Sequence, residues 1–251
     1  MLKRERILTI IEKVNQSGIV TINDLVDQLE VSDMTIRRDL DELAEAGKLV
    51  RIHGGAQKIT LCEEEELTHL QKMEIHLKEK EAVAKIAASF IKHGDTIYLG
   101  PGTTLELMAK YVTPAVYPVR IITNSLPVFQ SWEKLGVEVL LIGGIYRSES
   151  QSFVGSLANE TLNHLKFTKA FVGVNGIYNE SVMNANIEEG QIQAIALNNA
   201  FEKIIVADKY KFNRNDFYQF YDLDLIDKVI TNQELSEENI SHYETYTKII
   251  V

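Results

Sequence analysis

The stretch Val31–Gly55, VSDMTIRRDLDELAEAGKLVRIHGG, decides how the amino-terminal part of the chain is read. Ser32 and Asp33 are good N-caps, and Leu40, Leu43 and Ala44 continue the apolar spacing begun at Ile36, which predicts a helix from Asp33 to Ala46 ended by Gly47. Its first turns gather Ser32, Asp33, Met34, Thr35, Arg37 and Arg38. A recognition helix presents hydroxyls and guanidiniums there, to the base edges and phosphates of double-stranded DNA. Just upstream, INDLVDQL (Ile22–Leu29) predicts a short helix started by Asn23 and Asp24, and Glu30, Val31 and Ser32 leave a tight connection between the two. Glu5–Asn15 supplies a further helix through Ile7, Leu8, Ile10, Ile11 and Val14. After Gly47, Leu49–Ile52 is β-prone, and Ile59 is expected to return antiparallel to it across His53, Gly54 and Gly55. Three helices and a hairpin make a winged helix-turn-helix over residues 1–60, with Arg51, His53, Gly54 and Gly55 of the wing joining the DNA-contacting set.

A chain of 251 residues has much more sequence than such a head can use, so a second domain is expected. One cysteine, Cys62, excludes an internal disulfide, no secretory leader pattern opens the chain, and no apolar run approaches membrane-spanning length. A cytoplasmic protein without membrane attachment is expected. The formal net charge of -10 argues against an overall basic nucleic-acid binder. Lys3, Arg4, Arg6, Arg37, Arg38, Lys48 and Arg51 are nevertheless able to share one face of the head, with the acidic residues behind them. A nearly balanced head implies that one copy binds weakly, so a homodimer or homotetramer is expected.

Residues 61–71, with Glu63–Glu66 in a row, read as a solvated linker; consecutive carboxylates preset no metal geometry, and neither a metal site nor a cofactor is expected. From 72 to 251 the pattern is α/β. Lys72–Ile91 predicts one helix, Thr96–Leu99 a strand, and Gly100–Thr104 (GPGTT) a turn feeding a helix over Leu105–Val112. Gly100, Gly102, Thr103 and Thr104 would there offer backbone N–H groups and hydroxyls to a phosphate or carboxylate, although an ordinary capped helix start explains the same residues. Further strands end in polar or small residues: Arg120–Thr123 before Asn124 and Ser125, Val137–Ile142 before Gly143 and Gly144, Lys169–Val174 before Asn175 and Gly176, and Ile204–Ala207 before Asp208–Lys211. Helices fit between most of them, at Leu126–Leu135, Ser156–Leu165 and Ile187–Asn199. Strand and helix in alternation favour a mainly parallel sheet with its ligand site at the strand carboxyl ends, where Thr123, Asn124, Ser125, Gly143, Gly144, Asn175 and Gly176 would converge; turn chemistry alone would also place them there.

SDMTIRRDLDELAEAGKLVRIHGGA resembles the amino-terminal signature of the DeoR family of bacterial sugar-metabolism repressors, and GDTIYLGPGTTLELMA, ITNSLPVFQ, LIGGIYRSESQSFVGSLA and ADKYKF are similar to its effector domain. The resemblance covers nearly the whole chain. It implies the α/β fold shared with ribose-5-phosphate isomerase, a phosphorylated sugar as effector, and roles for Lys80 in EKEAVAKIA and Lys211 in ADKYKF, since a compact ammonium suits a phosphate dianion. Within the family, LGPGTT, TNSLPVFQ and ALNNA resemble the branch of lactose phosphotransferase-system repressors, which implies tagatose 6-phosphate; another sugar phosphate such as fructose 1-phosphate is the alternative. Gly100 departs from the acidic residue many relatives carry there, and Glu188 and Glu189 are either sugar-hydroxyl contacts or a solvated helix start. An isomerase with a DNA-binding head is the competing enzymatic reading. It is disfavoured because no acidic triplet surrounds Asn175 and Gly176 and Gly100 removes a further carboxylate, leaving no positioned general base.

Overall fold

Ile10, Val14, Leu25, Ile36 and Leu40, the apolar stripes of three helices, close on one another in the amino-terminal unit and are almost fully buried. The computed structural model describes residues 3–17, 19–52, 54–57 and 66–251, in two compact units, Met1–Leu61 and Cys62–Val251. His53, residues 58–60 (Ile59 among them) and residues 61–65 of the expected linker lie outside the described residues. In the first unit α1 (Lys3–Ser17) leads to β1 (Ile19–Thr21), α2 (Ile22–Leu29), α3 (Asp33–Glu45), β2 (Val50–Ile52) and β3 (Gly55–Gln57). Thr21, rather than Asn23 or Asp24, caps α2, its hydroxyl accepting from the Asp24 N–H while Asp24 reaches back to the Thr21 N–H. Ser32 caps α3 in the expected way, accepting from the Thr35 N–H.

The hairpin is tighter than the sequence pattern implies. Ile52 pairs with Gly55, and the return strand begins there rather than near Ile59. It also pairs with β1, which sequence reasoning leaves out, in the order β1-β3-β2. Gly55 is required at that place, because a Cβ would come within 2.1 Å of the Val20 carbonyl oxygen.

One member of the expected basic face is buried instead. Arg6 on α1 is 8% exposed and donates through Nε and Nη2 to the carboxylate of Asp39 on α3, at 2.5 and 3.2 Å. Arg6 therefore fastens the helix that carries the expected DNA-reading residues and is not free to meet phosphate. Lys3 is similarly engaged, with Glu42 at 2.5 Å, although that pair is exposed.

The second unit begins with α4 (His69–Glu74) and α5 (Leu77–Ser89), a correction to both the linker reaching residue 71 and the single helix over Lys72–Ile91. The break falls at His76, whose φ of 53° is a left-handed conformation that stops the ladder. There follow β4 (Thr96–Leu99), α6 (Thr103–Leu107), β5 (Arg120–Thr123), α7 (Leu126–Trp132), β6 (Glu138–Leu141), β7 (Ile145–Arg147), β8 (Ser152–Val154), α8 (Ser156–Asn163) and β9 (Phe167–Gly173). The chain continues through β10 (Gly176–Tyr178), β11 (Ser181–Asn184), α9 (Ile187–Asn198) and β12 (Ala200–Val206). Beyond Lys211 the sequence pattern assigns no element; the structure has β13 (Tyr218–Asp222), β14 (Lys228–Ile230), α10 (Glu237–Tyr243) and β15 (Lys248–Ile250).

Seven strands form one sheet, ordered β15-β14-β12-β9-β4-β5-β6, every pair parallel. Its strands are apolar on both faces, as a sheet covered by helices on each side demands: Ile97, Leu99, Ile121, Phe171, Ile204 and Val206 belong to one core, and Tyr98, Ile122, Ala170, Val172 and Ile205 to the other. At the strand amino ends Lys169 is paired with Asp95 at 2.6 Å, which also accepts from Thr168. No helix among the described residues is long and apolar enough to cross a membrane.

Asp39→Ala would leave the Arg6 guanidinium buried without its counter-charge, so it is expected to cost about 3–5 kcal/mol, while the double change Arg6→Met, Asp39→Leu is expected to cost much less. Urea unfolding monitored on the first unit checks this; a loss below about 1 kcal/mol for Asp39→Ala would show that the pair does not fasten the helix.

Candidate functional site

Sheet topology leaves a crevice between β4 and β9. From β4 the chain winds through β5 and β6 to one edge, and from β9 through β12, β14 and β15 to the other, so the connections leaving the two strands part company at their carboxyl ends. A cavity of about 440 Å³ opens at that point, within the size range of small-molecule sites. Its floor is the Pro101–Leu105 segment after β4, Gly173–Asn175 after β9, and Val206–Asp208 with Lys211 after β12.

Local backbone chemistry shapes the floor. Gly102 takes φ 148°, a conformation that L side chains avoid, and lets the chain turn from β4 into α6. Thr103 and Thr104 open α6 and line the cavity as expected. The helix is only five residues long before a 3-10 turn over Met108–Tyr111, so it brings a small dipole, and the positive potential rests on side chains. Four basic residues line the cavity: Lys72, Lys80, Lys211 and Arg214.

Lys80 is 4% exposed, on α5, and its ammonium donates to the Lys72 carbonyl oxygen. Burial depresses its pKa, with Lys72 adding to the effect and Asp208 opposing it. Lys211 is depressed more strongly, to about 8, first by burial and then by Arg214, Lys72 and Lys80, against the pull of Asp208. Neither lysine forms an ion pair among the described residues, so each stays in a desolvated place that an anion would relieve.

Of the expected effector set, Lys80, Gly102, Thr103, Thr104, Asn175 and Lys211 come together on the cavity wall. Gly100, Thr123, Asn124, Ser125, Gly143, Gly144 and Gly176 do not. Most of these are used by the fold. Thr123 Oγ1 accepts from the Ser125 N–H, and Asn124 accepts from the Tyr98 hydroxyl at 2.8 Å while donating to the Phe153 carbonyl. Ser125 Oγ caps α7. The TNS motif thus anchors the β7–β8 hairpin to the end of β5. Gly144 and Gly176 allow close backbone approach, a Cβ coming within 2.6 Å of Val154 O and 2.1 Å of Arg214 O respectively. Gly100 donates its N–H to Phe171 O, and a Cβ there would make only ordinary contacts, so the missing carboxylate is not excluded by space.

Most of the remaining wall comes from segments that carry no motif: residues 66–76 around α4, Asn184, Glu189 and Gln193 at the β11–α9 turn, and Arg214, Asp216 and Phe217. Glu189, one of the two carboxylates in question, is 5% exposed and accepts from Arg147 at 2.8 Å, whereas Glu188 is exposed. Burial raises the Glu189 pKa, against a hydrogen bond from Ser150 and the Arg147 charge. No group of three or more metal-ligating side chains occurs among the described residues.

In the first unit Ser32, Asp33, Met34, Arg37 and Arg38 are exposed at the start of α3, Thr35 partly so. Arg37 pairs with Asp33 at 2.6 Å along the helix, and Arg51 donates to Asp41 at 2.8 Å and to the Gly55 carbonyl at 2.6 Å, which braces the hairpin. Gly54 sits exposed at the turn with φ 73°.

A model of the DeoR-like helix-turn-helix domain matches residues 6–61, and one of the DeoR C terminal sensor domain matches residues 75–233. The lactose phosphotransferase system repressor of Lactococcus lactis subsp. lactis is 43% identical over 252 residues, covering 100% of this chain and 99% of the relative. Its namesakes from Streptococcus mutans and Staphylococcus epidermidis are 38% and 39% identical, each covering 100% of both chains. Among solved structures, ribose 5 phosphate isomerase A from Neisseria gonorrhoeae is similar over 54% of this chain and 53% of its own, with 12% identity and a TM-score of 0.41. Family models matching both units, together with relatives aligned along the full length, establish that the chain belongs to the DeoR family.

Proposed function

We propose that this DeoR-family chain represses a lactose or galactose catabolic operon and is released from its operator by a phosphorylated sugar, tagatose 6-phosphate. The observation that carries the effector class is the pair of desolvated ammoniums, Lys80 and Lys211, on one cavity wall with the Gly102–Thr104 turn. A phosphate dianion supplies both lysines with counter-charge and the Thr103 and Thr104 hydroxyls with an acceptor. Asn175, Asn184, Gln193 and Glu189 offer amide and carboxylate partners to the hydroxyls of the sugar. Full-length relatives named lactose phosphotransferase system repressors favour a ligand of lactose catabolism over fructose 1-phosphate. They also favour binding without turnover over isomerisation.

In the first unit, α3 enters the major groove with Arg38, Thr35 and Ser32 foremost, and Arg37 joins by exchanging Asp33 for a phosphate or base. Two copies at least are needed, since the head has few uncompensated charges and helix-turn-helix readers dock on paired half-sites. Effector binding releases the operator only by favouring an arrangement that binds DNA less well.

Two outcomes test this. Arg38→Ala is expected to leave folding intact and weaken operator binding, with the salt slope falling by about one unit if the lost contact is to phosphate, or a cost of about 1–3 kcal/mol if it is to a base; gel-shift titrations at wild-type affinity would remove α3 as the reader. For the effector, the ammonium form of Lys211 binds the dianion and titrates at about 8. Affinity for tagatose 6-phosphate is therefore full below that pH and lost as pH rises through it, by about tenfold between pH 7 and 9. Lys211→Met is expected to weaken binding and to remove most of the pH dependence. A flat calorimetric profile for the wild-type chain would contradict the phosphate assignment.

A further inference from the structure

Residues 66–72 carry three charged or chargeable side chains at three-residue spacing, Glu66, His69 and Lys72, and all of them line the cavity. Glu66 is held between two cations. Arg147 donates to both of its oxygens, and Lys72 Nζ donates to Oε1 at 3.1 Å. Burial raises the Glu66 pKa, but Arg147 and Lys72 lower it more, so the carboxylate is ionised. The His69 ring is 7% exposed with neither nitrogen hydrogen-bonded among the described residues. Its Nε2 lies 3.1 Å from Glu106 Oε2, without hydrogen-bond geometry. Lys72 is tied to Lys80 as well, because its carbonyl oxygen accepts from the Lys80 ammonium.

We propose that residues 66–72 are the effector's contact and transmission arm, with Lys72 taking a phosphoryl oxygen of the phosphorylated ligand and Glu66 acting as the internal carboxylate that competes with it for Lys72. This rests on the sugar-phosphate reading above and adds the residues that answer the ligand. A carboxylate and a phosphate monoester offer the same kind of oxygen to an ammonium, and the dianion brings more charge to Lys72, Lys80 and Lys211 together than Glu66 brings to Lys72 alone. When the ligand takes Lys72, Glu66 keeps only Arg147, which remains shared with Glu189. The arm thereby loses one of the two ties at its start. From Glu66 the chain runs back to Leu61, the last residue of the DNA-binding unit, in five peptide steps. That makes the exchange of Glu66 for ligand a covalently connected signal.

Calorimetry on the full-length chain with tagatose 6-phosphate tests it. Glu66→Gln keeps the side-chain volume and removes the competing charge, so binding is expected to tighten about five- to tenfold, with operator release at correspondingly lower ligand concentration. Lys72→Met is expected to weaken binding at least tenfold while operator affinity without ligand is kept. Unchanged or weaker binding by Glu66→Gln at wild-type melting temperature overturns the competition, and unchanged binding by Lys72→Met overturns the contact whether or not the first variant folds. A wild-type chain that binds no hexose 6-phosphate overturns the effector reading itself and this inference with it, whereas wild-type binding with equal constants in both variants overturns this inference alone.

Discussion

Everything in the larger unit is arranged about the reversal of winding between β4 and β9. A parallel sheet needs a crossover on each strand, and helices on both faces leave no room for a ligand except where two neighbouring crossovers diverge. Here that divergence falls beside Gly100–Thr104, and the two longest strands, β9 and β12, carry Asn175 and Asp208–Lys211 to the same rim. The sheet's core then holds these ends in place from both sides, through Phe171 and Ile204 on one face and Val172 and Ile205 on the other.

Buried charges among the described residues include two contrasting kinds. Arg6 with Asp39, and Lys169 with Asp95, are closed pairs at 2.5–2.6 Å, distant from any need for a ligand, and each fastens one element to another. Removing one partner costs stability without changing what is bound. Lys80 and Lys211 are desolvated on the cavity wall without such a partner, and burial depresses their pKa values. Glu66 stands between the two kinds, paired like a structural carboxylate yet set on the cavity wall.

The readable parts of the sequence were those where a local rule and the tertiary structure agree. Apolar spacing places α3 to within one residue, and Pro101–Thr104 of the GPGTT turn share a cavity with Lys80 and Lys211. The TNS and GG turns could not be sorted by the same reasoning, since small polar residues at a strand end serve a hairpin anchor and a ligand equally well; only the partners of Thr123, Asn124 and Gly144 tell which. The turn at His76 was hidden because no glycine or proline marks it. Glu66, His69 and Lys72 were hidden for a further reason: the run Glu63–Glu66 has the composition of solvated linker, and nothing local reveals that Arg147, some eighty positions later, is folded against it. Arg6 shows the converse, a basic residue in a DNA-binding head whose partner Asp39 lies inside.

On the proposal above, occupation of a phosphate-accepting cavity in one unit controls DNA binding by the other. Fluorescence anisotropy of a labelled operator fragment, held saturated with the full-length chain at fixed salt and pH 7 and titrated with tagatose 6-phosphate or with tagatose, addresses it directly. The phosphorylated sugar is expected to lower the anisotropy to that of free DNA while the unphosphorylated sugar at the same concentration leaves it unchanged; equal release by both sugars, or release by neither although calorimetry shows the phosphorylated one bound, would rule out control of DNA binding through a phosphate site.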